Sequence, residues 1–291
     1  MQNTKTIECG PTELVRGVSN LISLPEIYLR IRELVDDPSA DLEDFSNVVI
    51  TDPNLSSSVL RVVNSAFFGF GGQIDTISRA LNFFGIGQLH DLVLSISAVN
   101  SFSDISNEFI DMTEFWRRSV FCGVLTRILG SECNIRGSER LFVIGLLHEV
   151  GQLILFSELP DQSKKALVQS EGEAQLLCEA QREIIGFDYA QVGAELMQLW
   201  NLPNNFQEIT ACHTEPNSAD QCVIESCLLH IAHAYGIALA LEEESENYLQ
   251  RIDPFTWKST GLDAEKINAL LPEAQTQAQE VFELISKKST A

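Results

Sequence analysis

The chain has 291 residues, 45% hydrophobic and 21% charged, a composition that can bury enough apolar surface to offset ordering entropy and so excludes wholesale disorder. Nineteen Lys and Arg against 41 Asp and Glu leave a formal charge of −22, which repels phosphate backbones and anionic lipid and argues against nucleic-acid or membrane partners. Seven cysteines without a CxxC pair exclude a disulfide framework and a zinc knuckle, and read as reduced, mostly buried thiols. The opening MQNTKTIECGPTEL has neither the basic nor the apolar region of a signal peptide. The longest apolar stretch, Cys227 to Leu241, carries two histidines and falls short of the ~20 residues a bilayer-spanning helix needs. A cytoplasmic location is expected.

Helix signals recur along the chain and sustained period-two alternation is absent, so the expected fold class is all-α. Ser23-Leu24-Pro25-Glu26 forms a capping box before Ile27, Ile31, Leu34 and Val35, with a stop at Asp37-Pro38. Asp41 caps a helix through Phe45 and Val49, and Asp52-Pro53 caps another with Val59, Val62 and Val63 on one stripe. Phe67 to Gly72 reads as a loop. Thr76 opens a helix closed by Gly85, and a long apolar helix runs from Gln88 to Asn100. The polar stretch 101–111 marks a subdomain boundary.

Beyond it, Thr113 starts a helix ending at Gly130, and Ser138 caps one whose run LFVIGLLHEVGQLILF is apolar nearly all round, with His148 and Glu149 inside it. Further helices are predicted over 161–170, 173–185, 188–200, 204–213 and 219–241, punctuated by Gly186, Pro203 and Pro216. The tail from Asp263 to Lys288 reads as an amphipathic pair broken at Pro272, with Lys287 and Lys288 at the C-terminal dipole. The implied organisation is an N-terminal helical subdomain over 1–112, a second helical subdomain over 113–245 and a C-terminal helical extension over 246–291.

Local motifs exclude several chemistries. Gly85-Ile86-Gly87 follows a helix rather than a strand and so lacks the context of a dinucleotide loop, and no P-loop, HExxH or GxSxG occurs. The sequon at Asn54 has no secretory context. The histidines carry the information. Metal chemistry on a helical bundle needs ligands converging from different helices, which makes His148, His213, His230 and His233 candidates. A buried His148-Glu149 costs free energy unless each side chain finds a partner, so a mutually satisfied core cluster explains these residues as well. His90-Asp91 reads as an exposed helix start.

The segments LPEIYLRIRELVDDP, DPNLSSSVLRVVNSAFFG with Ile74 to Gly87 behind it, FWRRS, GLLHEVGQL, GFDYAQVGAELMQLWNLP and ACHTEP together resemble the HDOD family. That family is a signalling offshoot of the HD superfamily of metal-dependent phosphohydrolases, and the resemblance spans about residues 20 to 216. It implies an N-terminal helical half packed on an HD-like half, acting as an output or scaffold module in bacterial signalling.

Carried over position by position, the superfamily's ligand pattern departs from type. The histidine expected in the FWxHS context is Arg118, and the His-Asp doublet becomes His148-Glu149. The histidine often found after the GxD turn is Tyr189, the His-His pair is Cys212-His213, and the last aspartate falls on His233 by a looser alignment. Arg118 offers five donors, no acceptor and a permanent charge, so it cannot ligate a cation. The resemblance thus implies a degenerate HD site holding neither metal nor cofactor, with Arg118 paired to Glu149 in the metal's place. A non-catalytic signalling or scaffold protein acting on a separate signalling chain is the expected function. The alternatives are a metal-dependent phosphohydrolase, on a cyclic nucleotide for example, using His148, Glu149, His213 and His233, and a small-molecule sensor that kept the cleft.

Overall fold

The computed structural model describes residues 10–18, 24–68, 73–102, 109–170, 174–241 and 249–286, and among these every regular element is helical, with no strand. The first helices are α1 (Pro11–Gly17), α2 (Glu26–Asp36), α3 (Leu42–Ile50), α4 (Pro53–Val63) and α5 (Ile77–Phe102). They are followed by α6 (Met112–Glu132), α7 (Glu139–Leu147), α8 (Val150–Glu158), α9 (Pro160–Gln169) and α10 (Ala174–Ile184). The last are α11 (Tyr189–Leu199), α12 (Asn204–Cys212), α13 (Val223–Ala240), α14 (Pro254–Thr260) and α15 (Ala264–Ser286).

These helices form two compact units that interleave along the chain. The first comprises Met1–Ser23, Ile105–Met112 and His148–Gly261, and the second Leu24–Asp104, Thr113–Leu147 and Leu262–Ala291. The sequence suggests instead a succession of 1–112, 113–245 and 246–291.

In the second unit, α5 collects α2, α3, α4 and α7, and α15 packs on α4. Its apolar stripes are the predicted ones: Phe45 and Val49 of α3 and Val59, Val62 and Val63 of α4 are buried. Asp41 accepts the backbone N–H of Glu43 and Asp44, and Asp52 those of Asn54 and Leu55, which satisfies donors the helices cannot use internally. Gly85 takes φ 77°, a left-handed conformation that kinks α5 where a stop is expected. His90-Asp91 lies within α5, its imidazole half-buried against the Tyr28 ring 5.2 Å away, not at an exposed helix start.

Three elements depart from the expected pattern. The tail does not break at Pro272: α15 runs through it as one helix, because Ile267 before it and Ala274, Ala278, Val281 and Ile285 after it keep one buried face continuous. α1 and α14, only 7 residues each, were not expected, although Pro11 and the Asp253-Pro254 start with Gly261 at its end mark them locally. The Ser23 cap, Cys9, Lys287 and Lys288 lie outside the described residues.

In the first unit, α8 packs on α11, α11 on α12 and α1, and α13 on α12 and α14. Two stretches are apolar enough by composition to cross a bilayer, Glu139–Glu158 and Val223–Ala240, but 83% and 72% of their apolar windows are buried inside the fold, as in core helices. Of the six described cysteines four are buried and two half-buried, and none forms a disulfide.

Candidate functional site

The apolar run around His148 is not one helix. α7 ends at Leu147 and α8 begins at Val150, with Glu149 at φ −100° and ψ 3° between them. The interruption removes His148 and Glu149 from the helical ladder and leaves the imidazole to be held by other elements. Two glycines then bring α8 against α11 at backbone distance. A methyl group on Gly151 would collide with the Tyr189 carbonyl and lie 2.7 Å from the Gly193 nitrogen, so only glycine permits this crossing.

Tyr189 is fixed as the first residue of α11 by a capping box. Asp188 accepts the Gln191 N–H at 3.0 Å, Gln191 accepts the Asp188 N–H at 3.0 Å, and Gln181 accepts the Tyr189 N–H at 3.0 Å. Arg182 braces the same corner, 3.5 Å from Asp188 and 2.5 Å from Glu215. His213 ends α12. Its Nδ1 lies 2.6 Å from the Thr210 carbonyl, and its own carbonyl accepts from His230 Nδ1 at 2.8 Å. The other nitrogen of His230 accepts the Asp253 N–H at 3.2 Å. One turn along α13 from His230, His233 enters the same interior.

Three imidazoles therefore converge from three elements. His148, His213 and His233 are all buried, and each offers a nitrogen within 4.8 Å of the others'. His148 Nε2 and His233 Nδ1 are 3.0 Å apart, and Tyr189 Oη lies 3.1 Å from His213 Nε2 and 3.4 Å from His233 Nε2. Burial, reinforced by the neighbouring His148, holds His213 well below the usual imidazole range, and burial lowers His230 as well.

With all three imidazoles neutral, one proton arrangement satisfies these contacts. His213 Nδ1–H donates to Thr210, so its Nε2 accepts from the Tyr189 hydroxyl. Tyr189 Oη then accepts from His233 Nε2–H, and His233 Nδ1 accepts from His148 Nε2–H. The result is a four-member chain of neutral groups with every donor pointing the same way.

Of the positions implied by the family pattern, His148, His213, His233 and Tyr189 are thus brought together. Glu149 is buried beside them, its Oε1 accepting from Gln152 Nε2 at 3.0 Å and lying 3.9 Å from His233 Nδ1, beyond hydrogen-bonding distance. Cys212 is half-buried and outside the three-histidine group, its thiol raised by burial. Arg118 belongs to α6 of the second unit, whereas Glu149 opens α8 of the first. The residues that sequence reasoning passed over are those that position the others: Gly151, Gly193, Gln181 and the Thr210 carbonyl. No local pattern distinguishes them from ordinary helix residues.

The resemblance to HD-type proteins implies a metal in this place, and the donor set can be tested against that. Three neutral imidazoles suit a divalent cation in kind, and a His213 Nδ1–H held by a carbonyl is how a ligating nitrogen is commonly oriented. In the hydrogen-bonded arrangement, however, the lone pairs of His213 Nε2 and His233 Nδ1 are used by Tyr189 and His148.

Similarity to known proteins agrees with this architecture. A protein from Treponema pallidum (strain Nichols), itself uncharacterized, is 27% identical over 203 residues, which is 68% of this chain but only 39% of that protein's length. A crystal structure from Shewanella amazonensis SB2B, of a protein proposed to be a phosphohydrolase, superposes with a TM-score of 0.74 at 22% identity, covering 94% of this chain and 97% of the other. An HDOD domain protein of unknown function from Geobacter sulfurreducens gives a TM-score of 0.69 at 16% identity, over 93% and 98% of the two chains. Both share the all-helical fold. The HDOD domain model itself matches residues 21–216, through both the DPNL and GLLH segments, and the chain belongs to the HDOD family.

Proposed function

We propose that this chain is a non-catalytic signalling or scaffold protein in which a neutral hydrogen-bonded chain of His148, His233, Tyr189 and His213 replaces the metal of the HD phosphohydrolases. The carrying observation is the Tyr189 hydroxyl, 3.1 Å from His213 and 3.4 Å from His233, where it uses the lone pair a cation needs. A buried polar group without a partner costs free energy, and this network supplies each of these contacts from within the fold. Output then comes through protein contacts with a separate signalling chain, and solved proteins of similar fold carry proposed roles, one as a phosphohydrolase and one as a signal transduction protein.

The test is elemental analysis of protein purified without chelator, paired with a phosphodiesterase assay on bis(p-nitrophenyl) phosphate. The expected result is far less than one metal per chain and no hydrolysis above the buffer rate. Stoichiometric iron, manganese or zinc, lost on replacing His148, overturns the proposal.

One observation favours a second reading, a metal-dependent phosphohydrolase: the three imidazole nitrogens within 4.8 Å of one another. His148, His213 and His233 would then hold the ion, which when bound would polarise phosphate oxygens and lower the pKa of water. Glu149, buried alongside, would add the negative charge that favours a cation there.

A further inference from the structure

The second unit carries a cavity of about 880 Å³ that shares no residue with the imidazole cluster. One wall is α4 and the other is the segment 73–77 with Glu280 and Leu284 of α15. The walls are tied together by Asn64, whose side chain donates to the Leu60 and Ile74 carbonyls and accepts the Ile74 N–H, each at 2.7 Å. The space is therefore built into the fold. Its volume is that of a small-molecule site, and Ile50, Pro53, Leu60, Ile77 and Leu284 give it an apolar lining.

Arg61 faces this cavity with its hydrogen-bonding capacity mostly unused. Its Nη2 donates to Ser58 Oγ at 3.1 Å, while its Nε is buried and finds no acceptor. No carboxylate pairs with it among the described residues. Its guanidinium, half-buried, therefore has donors to spare for an anionic ligand. The cavity also contains Asp75 and Glu280, and Asp75 is held by Arg79 at 3.6 Å. Those two acids oppose added negative charge, and a dianion about twice as strongly as a monoanion.

We propose that this cavity binds a small monoanionic carboxylate with an apolar body, its carboxylate received by Arg61 and its hydrocarbon part by Ile50, Leu60 and Leu284. The guanidinium's outer Nη1 and Nη2 groups present parallel donors that match a carboxylate's geometry.

Calorimetric titration of the whole chain with octanoate, octanol and octyl phosphate tests this. Saturable binding of octanoate is expected, at least about tenfold tighter than octanol and tighter than octyl phosphate, and weakened by added salt. Arg61→Gln should lower octanoate affinity about tenfold or more and leave octanol unchanged. Because the Arg61 Nε is buried, Ile50→Gln on the exposed rim provides a second variant that does not risk the fold, and it should weaken octanoate and octanol alike. Absence of saturable octanoate binding, equal affinity for octanol, or tighter binding of octyl phosphate overturns the proposal. So does undiminished octanoate binding in a folded Arg61→Gln or in Ile50→Gln.

Discussion

Replacing Tyr189 by phenylalanine isolates the hydroxyl that links the histidines. Tyr189 is fully buried, so the ring keeps its packing and only Oη is lost. His213 Nε2 then loses the donor 3.1 Å away, and His233 Nε2–H loses an acceptor at 3.4 Å. Each buried polar atom left without a partner costs roughly 1–3 kcal/mol. The longer contact is the weaker, and phenylalanine is spared the burial of its own hydroxyl, so the sum is about 2–3 kcal/mol. Urea unfolding followed by circular dichroism reads this as a shift in midpoint of roughly 1 M at unchanged slope, for a slope of about 3 kcal/mol/M. EDTA should move neither protein's midpoint. A loss below about 0.5 kcal/mol would show that the hydroxyl satisfies no one, and the network argument would fail with it.

Other perturbations address neighbouring features. Gly151→Ala should destabilise by about 3 kcal/mol or more, since its methyl meets the Tyr189 carbonyl and α8 must move off α11; wild-type thermal stability in this variant would contradict the close crossing. His213 and His230 are held below the usual imidazole range, so the unfolded chain takes up protons that the folded chain refuses once the pH falls below about 6.5. Stability should therefore be full above that pH and fall below it, by at most about 1.4 kcal/mol per pH unit for each group until its folded pKa is reached, and a flat unfolding profile from pH 7 to pH 5 would rule this out. Deleting residues 263–291 should lower thermal stability sharply, because Ile267, Ala274 and Val281 of α15 are wholly buried; an unchanged melting temperature would mark the helix as free for a partner.

What the sequence made legible was what acts locally. Asp41, Asp52 and Asp188 cap helices with their own side chains within three residues, and the helix starts at Leu42, Pro53 and Tyr189 follow. Gly85 stops a helical turn for an equally local reason. The interruption at His148-Glu149 could not be seen, because the surrounding residues are apolar on every side and periodicity is uninformative where no face is exposed. Pro272 misled in the opposite direction, since tertiary burial on both sides of it outweighs one lost backbone bond. In the site, His148, His213 and His233 were identifiable as residue types, but His148 and His233 are 85 positions apart and their contact is a property of the fold. Tyr189 entered as a substituted ligand position, and its hydroxyl's place between two imidazoles needed coordinates.

The interleaving of the two units has a consequence for synthesis on the ribosome. The unit that begins at Leu24 takes its last helix from residues 264–286, and α4 waits for that helix to complete its packing. The other unit closes at Gly261, so the part of the chain translated earlier is the later to be finished. During that interval α4 packs on α3 and α5 without α15, and the protection from proteolysis that this last contact adds should appear only once residues 264–286 have cleared the exit tunnel.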